Sequence, residues 1–83
     1  MNATQTAPRN ATIRRVYCEG PIAEQNRKGE EIPVWQTFAG NEKRQPRGTV
    51  YKCLTHKTAT GLAAAMAHDR KLELVDEAQE IAL

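Results

Sequence analysis

GTVYKCLTHKTATGLAAAMAHDRKLELV, residues 48–75, is the stretch whose reading decides the fold. Thr49, Val50, Tyr51, Cys53, Leu54 and Thr55 form a run of β-branched and apolar residues opened by Gly48, the composition of a strand. The residue type then changes. Four of the five residues from Ala63 to Ala67 are alanine, the best helix former. Thr58 or Thr60 can supply an N-cap oxygen, and Arg70 and Lys71 suit the negative end of a helix dipole. Leu62 and Met66 lie four apart and share a face with Ala59, Ala63 and Ala67, which predicts a helix packed closely on a sheet. Leu72, Leu74 and Val75, with Glu73 between, predict a brief returning strand. A helix continuing through Glu73 would turn Asp69, Arg70 and Glu73 onto the apolar face, which argues against it. On this reading Thr49 to Thr55 is the best-protected strand.

Upstream, Ala11 to Glu19 carries Ile13, Val16, Tyr17 and Cys18 and predicts a first strand. Gly20-Pro21 interrupts or bulges it, and Ile22 and Ala23 resume the pairing. Gln25 to Gly29 is polar and ends in the glycine expected of a hairpin loop. Glu31 to Ala39, with Ile32, Val34, Trp35 and Phe38, is the second strand. A hairpin centred near Arg27 sets Pro21 about opposite Pro33, and neither can donate to a ladder, so that end should fray or lie at a sheet edge. Gly40 to Arg47 is a loop whose cations should project from one end of the sheet. After the returning strand, Asp76 and Gln79 have the spacing of a helix cap, with Ala78 and Ile81 able to face inward.

The order is therefore β-β-β-α-β. It predicts a single small α+β domain with a mostly antiparallel three- to four-stranded sheet and one helix packed on one face. Residues 1–10 are polar and are expected to form a disordered tail, leaving 11–83 as the domain. Eighty-three residues can bury one modest core. The two cysteines and the lack of an apolar leader or long apolar run lead us to expect a cytoplasmic setting.

Charge is uneven along the chain. Residues 1–57 hold ten Lys or Arg against five Glu, and residues 58–83 hold two against five acidic residues. Uneven surface charge is common in small proteins, but a basic half can also steer an anionic partner.

Three constellations bear on chemistry. Cys18, Cys53, His56 and His68 have the composition of a zinc site, but only Cys53 and His56 are closely spaced, and residues three apart in a strand point to opposite faces. We therefore expect no metal and no cofactor, with both cysteines as small core residues. Cys53 with His56 has the elements of a thiolate nucleophile, yet no orienting group or oxyanion donor accompanies them, so we expect no enzymatic activity. The third constellation is basic and aromatic. Arg14, Arg15, Lys43, Arg44, Arg47 and Lys52 lie in the strands and their loops, interleaved with Tyr17, Trp35 and Tyr51. Cations and aromatic platforms on a sheet suit single-stranded nucleic acid, although the aromatic motifs of RNA-binding sheets and a helix-turn-helix pattern are absent.

The sequence thus points to a small non-catalytic regulatory binding protein. Its basic sheet half would contact nucleic acid or a protein of the nucleic-acid machinery, through Arg14, Arg15, Trp35, Lys43, Arg44, Arg47 and Lys52. The alternative is an inhibitor or adaptor that binds a host enzyme, such as a polymerase or nuclease, by protein contact alone. Small phage- and plasmid-encoded regulators have this size and simplicity.

Overall fold

The computed structural model describes residues 13–81. The expected tail, residues 1–10, and the first two residues of the expected first strand lie outside the described residues. Two long strands, β1 (Arg15–Gln25) and β2 (Glu31–Gly40), form the hairpin that dominates the molecule. A three-residue strand β3 (Tyr51–Cys53), the helix α1 (His56–Arg70) and a final strand β4 (Glu73–Asp76) follow. The sheet order is β3-β2-β1-β4. Neighbours β1–β2 and β2–β3 are antiparallel, and β4 runs parallel to β1. The α+β class, the β-β-β-α-β order and the single packing helix follow the sequence reading.

The hairpin turn is built by Asn26. Its side-chain oxygen accepts from the amides of Lys28 and Glu30, the local bonding that makes asparagine a turn former. The register shifts between Glu19 and Ile22, around a cis Gly20-Pro21 bond. Ala23 pairs with Pro33, so Pro21 and Pro33 are not partners: the hairpin centres near Lys28 and not on Arg27. Pro33 lies beyond the segment of β2 that β3 covers, where no ladder donor is required on that side.

Three expectations need correction. The stretch from Thr49 to Thr55 is not the protected centre of the sheet: only Tyr51–Cys53 pairs, and it does so at an edge. Only Cys53 of β3 is buried, because only that side chain turns under the helix. The helix begins earlier than Thr58 or Thr60 allows. Thr55, in extended conformation, is the N-cap and accepts from the Thr58 amide at 3.1 Å. The chain after β4 does not turn into a helix. Asp76 accepts from the Ala78 amide, and the amides of Glu77 and Gln79 donate to the carbonyls of Cys18 and Gly20. Those two bonds carry the pairing with β1 past the end of β4, which a helical turn would forfeit.

One core lies between α1 and one face of the sheet. Ala59, Ala63 and Ala67, four apart, are the buried residues of the helix. They face Val16 and Cys18 from β1, Trp35 from β2 and Cys53 from β3, with Leu62, Met66, Leu72 and Ala78 half-buried around the margin. Methyl groups at the centre of the contact let the helix axis approach the sheet closely. The approach is near enough that the buried Thr37 hydroxyl, on β2, donates to the backbone carbonyl of Ala59 at 3.0 Å. The hydroxyl's desolvation is thereby offset. The Trp35 indole donates to the Gln79 carbonyl at 2.9 Å, fastening the C-terminal segment over the same core.

Enlarging the helix centre should therefore harm more than trimming its margin. Ala63→Leu should cost about 1–3 kcal/mol by overpacking, and Leu62→Ala should cost less. Urea unfolding of both variants checks the order; a larger loss for Leu62→Ala would move the centre of the contact to Leu62.

Candidate functional site

The start of β1 and the end of β2 lie side by side. Arg15 pairs with Gly40, and the Arg14 amide donates to the Gly40 carbonyl at 2.9 Å. The loop of residues 41–47 leaves from this corner and returns to it. Gly40 bridges to Pro46, and the Arg47 amide donates to the Ala39 carbonyl at 2.8 Å. Five of the seven residues singled out in the sequence, Arg14, Arg15, Lys43, Arg44 and Arg47, therefore gather at one end of the sheet. Trp35 and Lys52 do not join them.

Trp35 faces the helix with only 4% of its surface exposed, and its ring meets His56 edge-on. It is a core residue and presents no face for stacking. Lys52 lies on the opposite face of the sheet, where its ammonium reaches Glu24 at 2.7 Å and links β3 to β1 across β2.

The loop does not simply project from the sheet. It folds over the face that α1 leaves bare. Asn41 organises it: the side-chain oxygen accepts from the amides of Lys43 and Gln45, and the side-chain amide donates to Gln45. On the sheet beneath, Tyr17 and Phe38 stack with ring centroids 5.4 Å apart. The Tyr17 hydroxyl donates to the Asn41 carbonyl at 2.5 Å, and the Arg44 guanidinium sits 5.0 Å above the Tyr17 ring. Arg44 also pairs with Glu19 of β1 at 3.3 Å and with Glu77 just beyond β4. The result is that Tyr17 is 2% exposed on the face opposite α1.

The electrostatics of this corner are mixed. Arg15 pairs with Glu73 at 2.8 Å. The bond to Glu73 raises the pKa of Arg15 above its ordinary value, and the bond to Glu77 does the same for Arg44, so both stay cationic. Arg14 and Lys43 are exposed and form no ion pair among the described residues. The sequence reading missed Glu19, Glu77 and Phe38. Glu19 and Glu77 meet Arg44 only through the tertiary fold, and no local spacing announces them. Asn41 had a usable signal, since an asparagine opening a short polar loop commonly bonds the amides that follow.

The cysteines are core residues. Cys18 and Cys53 are free thiols and buried. His56 rests against Trp35, and the His68 side chain is exposed. Among the described residues, no three of His, Cys, Asp and Glu come together where they could hold a metal ion. Burial raises the Cys18 pKa, and the Thr37 hydroxyl, 3.5 Å from its sulfur, partly opposes this.

A second exposed feature lies at the β3 edge. Leu54 is 70% exposed and Tyr51 42% exposed. Leu54 borders a groove of about 310 Å³ shared with Pro33, Trp35, His56, Lys57 and Ile81. No helix among the described residues is long and apolar enough to cross a membrane. No family model matches the chain, and no curated protein and no solved structure matches it.

Two outcomes follow. The folded Cys18 thiol keeps its proton to higher pH than the unfolded one, so the folded chain binds more protons between the two pKa values. Stability should be full below the unfolded thiol pKa, about 8.5, and should decline as pH rises above it; Cys18→Ala should flatten that decline in urea titrations taken across the alkaline range. The loop cations should separate by role. Arg44→Glu sets like charge against Glu19 and Glu77 and should lower the melting temperature, whereas Lys43→Glu should leave it nearly unchanged. Equal effects of the two in thermal melts would deny Arg44 its bridging role.

Proposed function

We propose that this protein is a small non-catalytic regulatory module, and that the basic corner formed by Arg14, Arg15, Lys43, Arg44 and Arg47 contacts nucleic acid or an acidic surface on a protein of the nucleic-acid machinery. The observation that carries the reading is the placement of these five residues, from two separate stretches of sequence, at one end of the sheet. Arg14 and Lys43 are the outward cations of that corner and suit phosphate or carboxylate groups. Arg15 and Arg44 are partly neutralised by Glu73, Glu19 and Glu77 and contribute mainly to the shape of the corner.

A second reading has its own support. Leu54 and Tyr51 are large and exposed at the edge formed by β3, and Leu54 borders a groove. An extended segment of a target enzyme could add to such an edge through backbone bonds while Leu54 fills a pocket on the partner. On this reading the chain acts as an inhibitor or adaptor without touching nucleic acid.

Affinity capture with and without nuclease treatment separates the two. Loss of the captured species on nuclease treatment, together with weakened binding by Arg14→Glu and Lys43→Glu, is the expected result. Each lost phosphate contact should reduce the log-log salt slope for duplex DNA by ~0.9. A protein partner retained after nuclease treatment and lost in Leu54→Glu would favour the β3 edge instead, and unchanged affinity in both charge reversals would remove the basic corner from the site.

A further inference from the structure

We infer that the loop of residues 41–47 is a displaceable strap over a sealed aromatic platform, and that the platform takes an unpaired base of single-stranded nucleic acid. The choice of ligand rests on the nucleic-acid reading above; the strap does not.

The first observation is what the strap covers. Tyr17 and Phe38 form a stacked pair on the sheet face opposite the helix. A globular chain has no need to place two large rings there unless something covers them, and here the cover is a polar loop. Arg44 lies over Tyr17 as a planar, charged group. A flat guanidinium above an aromatic ring occupies the position that a stacked base would take.

The second observation is strain. Arg44 has φ +63°, the left-handed region that residues with a Cβ avoid. Such outliers persist where surrounding contacts hold them, and they concentrate at switches and ligand sites. The contacts holding Arg44 include exposed ion pairs to Glu19 and Glu77, of the kind that salt weakens.

The third is the pair of glycines that bracket the strap. A Cβ at position 40 would lie 2.7 Å from the Gln45 carbonyl oxygen, so the closed position requires glycine there. Gly48 has φ +89°. Between them Asn41 binds the loop to itself, so residues 41–46 can move as a unit about the two ends. Opening breaks the Tyr17–Asn41 bond, the Arg47–Ala39 bond and the Arg44 ion pairs. It also releases Arg44 beside Arg14 and Lys43, where a phosphate backbone would supply the negative charge that Glu19 and Glu77 supply in the closed state.

The test reads Tyr17 directly. The chain has two tyrosines, so in a Tyr51→Phe background the 3-nitrotyrosine formed by tetranitromethane reports Tyr17 alone. With the strap closed, nitration should be slow. Arg44→Ala, which removes the latch, and Gly40→Ala, which obstructs closure, should each speed it about tenfold, while Cys18 stays unreactive to a thiol reagent and so reports an intact core. A saturating short oligothymidylate should then slow nitration of the opened variants again. Unchanged nitration in both variants, or nitration that rises only together with Cys18 reactivity, would overturn the strap. Nitration indifferent to an oligonucleotide that binds by fluorescence anisotropy would overturn the base-stacking ligand. Absence of oligonucleotide binding would sink the nucleic-acid reading and the ligand together, and would leave the strap standing.

Discussion

Everything else in this fold depends on how closely α1 can sit on the sheet. The contact has no large side chain at its centre. Ala59, Ala63 and Ala67 present methyl groups to the sheet, and the Thr37 hydroxyl spans the remaining gap to the Ala59 carbonyl. Beneath the helix lie Val16, Cys18, Cys53 and the ring of Trp35, and the longer Leu62 and Met66 of the helix are left at the margin. The helix also fixes which sheet face is dry. The opposite face must then manage Tyr17 and Phe38 by other means, and the loop of residues 41–47 does so with polar groups instead of a second helix.

That division explains what the sequence disclosed. The alanine run and its punctuation announced the helix, and the apolar runs announced four strands in the right order, because both signals are local. Strand rank was not local. Thr49 to Thr55 has the stronger β composition, yet Val16, Tyr17 and Cys18 hold the middle of the sheet, because that stretch of β1 pairs with β2 on one side and β4 on the other. The C-terminal segment misled for a related reason. Asp76 and Gln79 satisfy a helix-cap spacing, but the carbonyls of Cys18 and Gly20 offered their amides better partners, and those carbonyls are almost sixty residues away.

The basic corner was partly legible. Arg14 and Arg15 on one side and Lys43, Arg44 and Arg47 on the other could be singled out by type, and a hairpin of this length brings them together. Their internal partners could not be read. Glu73 and Glu77 come from the acidic half of the chain, so the charge asymmetry along the sequence is in part folded away, Glu73 of β4 pairing with Arg15 at the start of β1 and Glu77 beyond it with Arg44. Trp35 shows the same limit from the other direction. An indole beside cations is ambiguous in sequence, and the alternation of β2 assigns it to the helix face, where it closes the core.

The central claim is that β1, β2 and α1 form one cooperative unit, held by the alanine seat and the Thr37 bond, to which β3 is only appended. Native-state hydrogen exchange tests this most directly. The amides of Ala63 to Ala67 and those of Val16 to Cys18 should exchange with the same opening free energy and the same response to low urea, while Lys52 at the β3 edge exchanges much faster. Helix amides that open in a separate, lower-energy step from the β1 amides would contradict the account.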